Sequence, residues 1–92
     1  MKYELDLTAQ FEEDVQRHRT SGNKVAVEKI NTLLNELRVH PKTGTGKPEP
    51  LKGDKTGKMS RRITGKHRLV YQIKEEVVTV IALSGWGHYG DK

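Results

Sequence analysis

The chain has 92 residues and a mass of 10.5 kDa, enough for one small domain spanning residues 1–92 and too little for a second independent core. It has no cysteine, no apolar run near the roughly 18–20 residues that span a bilayer and no apolar N-terminal stretch typical of a secretory signal, so we expect a cytoplasmic protein without disulfides, thiolate–metal sites or membrane contact. The net charge is +5, and residues 42–68 alone carry nine basic and two acidic side chains, which favours a polyanionic partner over a merely solvated basic loop.

The first part of the chain predicts a strand and two helices. Apolar and charged residues alternate over residues 2–7, which is typical of a strand with one buried face. Thr8 and Asn23 are suited to cap helices. Apolar or aromatic side chains then recur at helical spacing, namely Phe11, Val15 and His18 after Thr8, and Ala26, Ile30, Leu33, Leu34 and Leu37 after Asn23. We expect Gly22 to end the first helix and Pro41 to follow the second.

The second part predicts a long loop and three strands. Residues 42–58 contain four glycines and two prolines, and a loop of this length in a compact domain is usually functional or disordered. Strand patterns follow over residues 59–64, 67–73 and 77–83, separated by short turns. The predicted fold class is therefore α+β, with an antiparallel sheet and a helical hairpin packed on one face.

Two kinds of site are disfavoured by the motifs. The four histidines form no HxxxH or HExxH pair, so we predict neither a metal site nor another cofactor. Residues 44–47 contain two glycines and a lysine but lack the GxxxxGK[ST] frame of a nucleotide-binding loop.

Glu49 is the candidate general base. It lies between Pro48 and Pro50, which stiffen the loop, and it is flanked by Lys47 and Lys52, which favour its ionised form. A fixed carboxylate among cations can take the proton of a ribose 2′-hydroxyl while the cations hold the phosphate. The simpler alternative is a loop glutamate that neutralises its lysine neighbours.

Arginines on two neighbouring predicted strands are candidate phosphate ligands. Arg61 and Arg62 precede the turn at Gly65, and His67 and Arg68 follow it. Because side chains alternate along a strand, one arginine from each strand can meet on one face and hold a phosphate. The alternative is a pair of edge strands whose arginines limit aggregation.

The C-terminal residues provide the third group. His88 titrates near neutrality and can give a proton to a leaving 5′-oxygen, while Tyr89 or Trp86 can stack on a base. Taken alone, this glycine-rich end is also compatible with a flexible tail. Together the three groups predict metal-independent RNA cleavage that leaves a 2′,3′-cyclic phosphate.

Four motifs in this order and at these separations resemble the YoeB/Txe-type toxins of the RelE superfamily. They are GKPEPLK at residues 46–52, SRRIT at 60–64, HRLVY at 67–71 and HY at 88–89. The resemblance covers nearly the whole chain. It implies a ribonuclease-like α+β fold, cleavage of mRNA in the ribosomal A site, inhibition of translation, and a cognate antitoxin that covers the basic face.

The resemblance also implies roles for individual residues. Glu49 is similar in position to the family's general base and His88 to its general acid. Arg68 matches the arginine that stabilises the phosphate, and Tyr89 matches the terminal tyrosine that orders the site. The RNA-facing region would include Lys47, Lys52, Arg61 and Arg62. The family commonly ends at or directly after its His-Tyr pair, whereas residues 90–92 follow here.

Two alternatives belong to other functional classes. A non-catalytic module that binds RNA or the ribosome would share the basic surface and block translation by occupancy. A DNA-binding repressor is disfavoured, since the sequence contains no helix-turn-helix with a basic recognition helix. The sequence leaves open the antitoxin's identity, the codon preference, and whether the free protein is a monomer or a homodimer.

Overall fold

The computed structural model describes residues 2–51 and 57–87. Its elements, in chain order, are β1 (Glu4–Leu7), α1 (Ala9–Thr20), α2 (Lys24–Leu37), β2 (Glu49–Pro50), β3 (Lys58–Arg62), β4 (Arg68–Lys74), a 3-10 turn (Glu75–Val77) and β5 (Thr79–Ser84). The predicted α+β class is confirmed, and so is each predicted helix and strand. The two-residue strand β2 is an addition inside the predicted loop.

The helix boundaries follow the predicted capping residues. The Thr8 hydroxyl accepts a hydrogen bond from the Phe11 backbone N–H at 3.0 Å, and the Asn23 side chain accepts one from the Ala26 N–H at 3.1 Å. Gly22 separates the helices with φ +77°, a conformation that favours glycine. Neither described helix is long and apolar enough to cross a membrane.

The five strands form one sheet in the order β1-β5-β4-β3-β2. Strands β2 to β5 pair antiparallel with their neighbours, as expected for consecutive strands joined by short turns. Strand β1 instead pairs in parallel with β5, with Leu5 opposite Val80, so the sheet is mixed and the expected purely antiparallel sheet is corrected. Alternation of side chains indicates a buried face of β1 but not the direction of its partner.

Both helices pack on one face of the sheet, here called the helix face. The buried side chains that join helices and sheet are Phe11, Ala26, Ile30, Leu33, Leu37, Ile63, Leu69, Tyr71, Ile73, Val80 and Ala82. Because paired residues share a face and neighbours alternate, the opposite face presents Glu49 of β2, Ser60 and Arg62 of β3, and Arg68 of β4. This outer face, defined by those four residues, carries the candidate active site.

Candidate active site

The structure brings Glu49 and Arg68 together on the outer face. Glu49 lies opposite Ser60 in the sheet, and the Arg68 guanidinium donates a hydrogen bond to the Ser60 hydroxyl at 3.4 Å. Arg68 Nη1 is 4.0 Å from Glu49 Oε1, which is an electrostatic pair too long for a hydrogen bond. The Glu49 side chain is 60% exposed and that of Arg68 only 19%. A ligand can therefore reach the carboxylate, while the guanidinium is held in place.

Arg62 adds a second positive charge to this face. It lies directly opposite Arg68 in the β3–β4 register, and it is exposed. The strand register thus places one arginine from each strand on the same face, as predicted. Like charges directly opposite in a sheet are unfavourable, so an anion between these two side chains would stabilise the arrangement.

Arg61 does not belong to the outer face, and its predicted RNA contact is corrected. Its side chain is 0% exposed and lies on the helix face, where it forms an ion pair with Glu36 at 2.9 Å and donates to Tyr71 Oη at 3.1 Å. Strand alternation required Arg61 and Arg62 to point in opposite directions. The sequence did not indicate that Glu36, 25 positions earlier, would supply a buried partner.

Arg61 fixes the loop that leads to Glu49. Its guanidinium also donates to the backbone carbonyls of His40, Thr43 and Thr45. The Glu36 carboxylate accepts the Thr45 N–H at 2.8 Å and the Thr45 hydroxyl. One buried cation therefore satisfies carbonyls of a segment with little regular structure, as buried backbone polar groups require.

Two ionisable groups of this network have shifted pKa values. Burial raises the pKa of Glu36, but hydrogen bonds from Thr45 and the charge of Arg61 outweigh burial, and the net pKa is lowered. Burial raises the pKa of Tyr71, and the adjacent Arg61 offsets only part of that effect. At neutral pH, Glu36 is thus the charged partner of Arg61 and Tyr71 is a neutral hydrogen-bonding group.

The backbone just before Glu49 is constrained at two consecutive residues. Gly46 has φ +85°, and a Cβ there would lie 2.9 Å from the Arg62 carbonyl oxygen, so only glycine fits without displacement. Lys47 follows with φ +53°, although a residue before proline normally adopts extended backbone. Such strain is often found at functional sites. The exposed Lys47 side chain lies two residues from Glu49.

The C-terminal end of the described chain reaches Arg68. A register shift between Val70 and Tyr71 makes Leu83 the additional residue of a bulge in β5, and bulges are common beside active sites. After β5 the chain returns to the start of β4, where the Arg68 backbone N–H donates to the Gly87 carbonyl at 2.9 Å. Gly87 immediately precedes His88 in the sequence.

Three predicted site residues lie outside the described part of the chain, namely Lys52, His88 and Tyr89. Trp86, predicted to stack on a base, is half-buried and already contacts Arg17, whose guanidinium carbon lies 3.8 Å from the centre of the ring. Its ring also contacts those of His18 and His67, with centroids 4.7 and 4.4 Å away. Base stacking by Trp86 stays a prediction.

The helical spacing predicts His18 on the buried face of α1, but the sequence indicates no role in the site for His18 or Asp14. Both are buried, and both bond to Gly85. Their spacing of four residues on the same helix face as Phe11 was an indication that they turn inward. Across residues 2–51 and 57–87, no three His, Asp or Glu side chains form a group that could hold a metal ion.

Comparison with known proteins identifies related chains over most of this length. The family model described as "YoeB-like toxin of bacterial type II toxin-antitoxin system" matches residues 7–89. Toxin YoeB of Escherichia coli K12 is 47% identical over 60 residues, which is 65% of this chain and 71% of that protein. A YoeB/ParE toxin structure from Agrobacterium tumefaciens has a TM-score of 0.83 and 37% identity, covering 94% of this chain and 99% of that one.

Two solved Staphylococcus aureus structures each contain a chain that is 36% identical to the present one, and each comparison covers 97% of the present chain and 100% of the other. One assembly is a YoeB dimer, with a TM-score of 0.79. The other is a YoeB–YefM complex, with a TM-score of 0.75.

Proposed function

The chain belongs to the YoeB-like toxins of bacterial type II toxin–antitoxin systems, and from this membership and the outer face we propose that it is an endoribonuclease that cleaves mRNA on the ribosome and so inhibits translation. The observation that carries the proposal is the Glu49–Arg68 pair, an exposed carboxylate 4.0 Å from the guanidinium of a largely buried arginine side chain. General base and phosphate ligand must lie this close, because the attacking 2′-oxygen and the phosphate belong to one nucleotide.

The reaction uses these two groups as follows. Glu49 accepts the proton of the 2′-hydroxyl, and the 2′-oxygen attacks the adjacent phosphorus. The new P–O2′ bond forms as the P–O5′ bond breaks, which yields a 2′,3′-cyclic phosphate and a free 5′-oxygen. Arg68 stabilises the negative charge that develops on the non-bridging oxygens, and Arg62 opposite it adds to this field.

The leaving oxygen needs a proton, and we assign that role to His88. It directly follows Gly87, whose carbonyl is bonded to the Arg68 backbone. The phosphate held by Arg68 would favour the protonated imidazole that a general acid requires. Tyr89 is assigned to ordering this end of the site. The scheme is complete with side chains alone and calls for no metal ion or cofactor.

A binding module that acts only by occupancy is the second candidate. It would need the positive surface, but Glu49 would weaken it, since a carboxylate beside Arg68 repels the phosphate that the arginine attracts. A general base, by contrast, requires a carboxylate at this position to remove a proton. The pairing of Glu49 with Arg68 therefore supports cleavage over occupancy.

RNA contacts outside the reacting groups are assigned to exposed cations. Arg62 lies beside Arg68 on the outer face, and Lys47 lies in the strained turn before Glu49. Lys52 and Trp86 keep the roles predicted from the sequence. Arg61 is removed from this set because its guanidinium is enclosed by Glu36, Tyr71 and loop carbonyls.

We assign a cognate antitoxin as the protein partner of this chain. We also assign the ribosome and mRNA as its targets, and the cytoplasm as the place where it acts. The support for the antitoxin is a relative at 36% identity whose solved assembly is a YoeB–YefM complex. We also propose a homodimer of the free toxin, supported by the solved YoeB dimer from Staphylococcus aureus at 36% identity.

The test is expression of the chain alone and together with its neighbouring gene product, followed by mapping of message ends. We expect growth arrest with new 2′,3′-cyclic phosphates inside coding sequence, and relief by the partner. Glu49→Gln, Arg68→Ala and His88→Gln should each fold and fail to arrest growth. Arrest with intact message would support occupancy, and full toxicity of all three variants would contradict the assigned chemistry.

A further inference from the structure

Residue Gly85 is held by two buried polar side chains of α1 that the proposed reaction does not use. Its backbone N–H donates to Asp14 Oδ2 at 2.9 Å, and its carbonyl accepts from His18 Nε2 at 2.9 Å. Since a carbonyl can only accept, the proton of the His18 ring is on Nε2. Asp14 and His18 are 2% and 0% exposed. A Cβ on Gly85 would lie 3.3 Å from the Phe11 ring, so the segment fits closely against α1.

Residue Gly87 is held in the same manner by the start of β4. Its N–H donates to His67 Nδ1 at 2.9 Å, and its carbonyl accepts from the Arg68 N–H at 2.9 Å. The His67 ring therefore carries its proton on Nε2. Gly87 has φ +85°, which favours glycine. Every backbone polar group of Gly85 and Gly87 thus has a named partner.

Trp86 connects the two attachment points. Its ring contacts both imidazoles, which themselves meet edge to face with centroids 4.7 Å apart, and Arg17 covers it at 3.8 Å. Asp14, His18 and His67, together with Trp86, are here called the clamp. Apolar residues of similar volume would fill this space without the desolvation cost of burying a carboxylate and an imidazole. The polar groups instead fix the path of the backbone.

We propose that Asp14, His18 and His67 are positioning residues, which fix the backbone of residues 85–87 beside Arg68, and that the rate of the proposed cleavage depends on this fixed backbone. This inference rests on the proposed function. The Gly87–Arg68 bond ties the backbone before the acid to the backbone of the phosphate ligand. A shift of about 1 Å at such a point costs about 100-fold in rate.

The first test compares His67→Asn with His67→Leu. The Asn side-chain oxygen takes the place of Nδ1 and still accepts the Gly87 N–H, whereas leucine has similar bulk and no acceptor. In single-turnover cleavage on ribosomes programmed with mRNA, we expect His67→Leu to lower the saturating rate at least about tenfold with little change in the half-saturating ribosome concentration. His67→Asn should stay within about threefold of the unchanged protein. His40→Leu, at an exposed histidine, is the matched control.

The second test repeats the comparison at α1 with Asp14→Asn, which keeps an acceptor for Gly85, and Asp14→Leu, which does not. Trp86 is the only tryptophan of the chain, so its emission and its quenching by acrylamide report the clamp without any RNA. We expect both leucine variants to make Trp86 more accessible to acrylamide. Both asparagine variants should retain the emission and quenching of the unchanged protein.

The outcomes separate the clamp from the reaction. Slow cleavage by the leucine variants with rescue by asparagine supports the positioning role. Unchanged cleavage by either folded leucine variant, or equal loss in the leucine and asparagine variants of a pair, overturns it. If the unchanged protein cleaves no message although its Trp86 is partly protected from acrylamide, the proposed function fails and the positioning role fails with it.

Discussion

Two segments converge on Arg68, and the molecule holds them by different chemistry. Residues 40–49, which end in Glu49, are fixed by the buried Arg61 cation and its partner Glu36. Residues 85–87, which lead to His88, are fixed by imidazole, carboxylate and backbone groups and by the contacts of Trp86. The comparison shows that buried polar side chains can fix irregular segments in place of the backbone hydrogen bonds of regular secondary structure.

The largest expected effect on stability comes from removing the cation that fixes residues 40–49. Arg61→Ala leaves Glu36 and several loop carbonyls without their cation, and we expect a loss of about 3–5 kcal/mol in the free energy of unfolding. Arg62→Ala, one residue away on the exposed outer face, should change stability by about 0.5 kcal/mol or less while it weakens cleavage. Urea denaturation of both variants measures this contrast. Equal stability of the two would contradict the role given to Arg61.

An intermediate effect on stability is expected from a substitution in the second segment, residues 85–87. Gly87→Ala forces a side chain into a left-handed conformation, at a cost of about 1–2 kcal/mol. Gly22→Ala is its matched control, because Gly22 has φ +77° and, as at Gly87, a Cβ added there would meet no atom within 4 Å. We expect similar losses of stability, measured by thermal unfolding, but impaired cleavage for Gly87→Ala alone. Impaired cleavage in both would remove the special role of the C-terminal segment.

The smallest effect is a pH dependence of the first segment. The pKa of Glu36 is lowered below its ordinary value of 4.5 in the folded protein, so below that value the unfolded state binds more protons. The stabilisation from Glu36 is fully present above pH 4.5 and is lost as the pH falls through the folded pKa. Urea midpoints of Glu36→Gln should therefore fall less steeply than those of the unchanged protein below pH 4.5. Parallel curves would contradict the ionic role of Glu36.

Much of the fold follows from local rules that the sequence displays. Thr8 and Asn23 cap the helices because a side-chain oxygen can satisfy the first free N–H groups. The alternation around Leu69 and Tyr71 correctly placed β4. Strand β2 is not predictable from the sequence, because two residues, one of them Pro50, form no periodic pattern. The parallel pairing of β1 with β5 depends on tertiary packing that a local pattern does not encode.

The site was less predictable because its positions depend on distant partners. Alternation separated Arg61 from Arg62 but did not indicate which of them would be buried, since Glu36 and the carbonyl of Thr43 become partners only in the folded chain. The sequence predicts Glu49 and Arg68 as reactive groups, and the strand register brings the two side chains together. The polar contacts of Asp14 with Gly85 join residues 71 positions apart, beyond any sequence motif.

The central claim is that Glu49 removes a proton beside a phosphate held by Arg68. Its most direct test is the single-turnover rate of mRNA cleavage on programmed ribosomes by Glu49→Gln, with Glu76→Gln, an exposed site outside the outer face, as the matched control. Loss of a general base should slow cleavage by about 10²–10⁴-fold, with the control unaffected and a 2′,3′-cyclic phosphate as the product of the unchanged protein. Cleavage by a folded Glu49→Gln protein within a few-fold of the original rate would contradict the account.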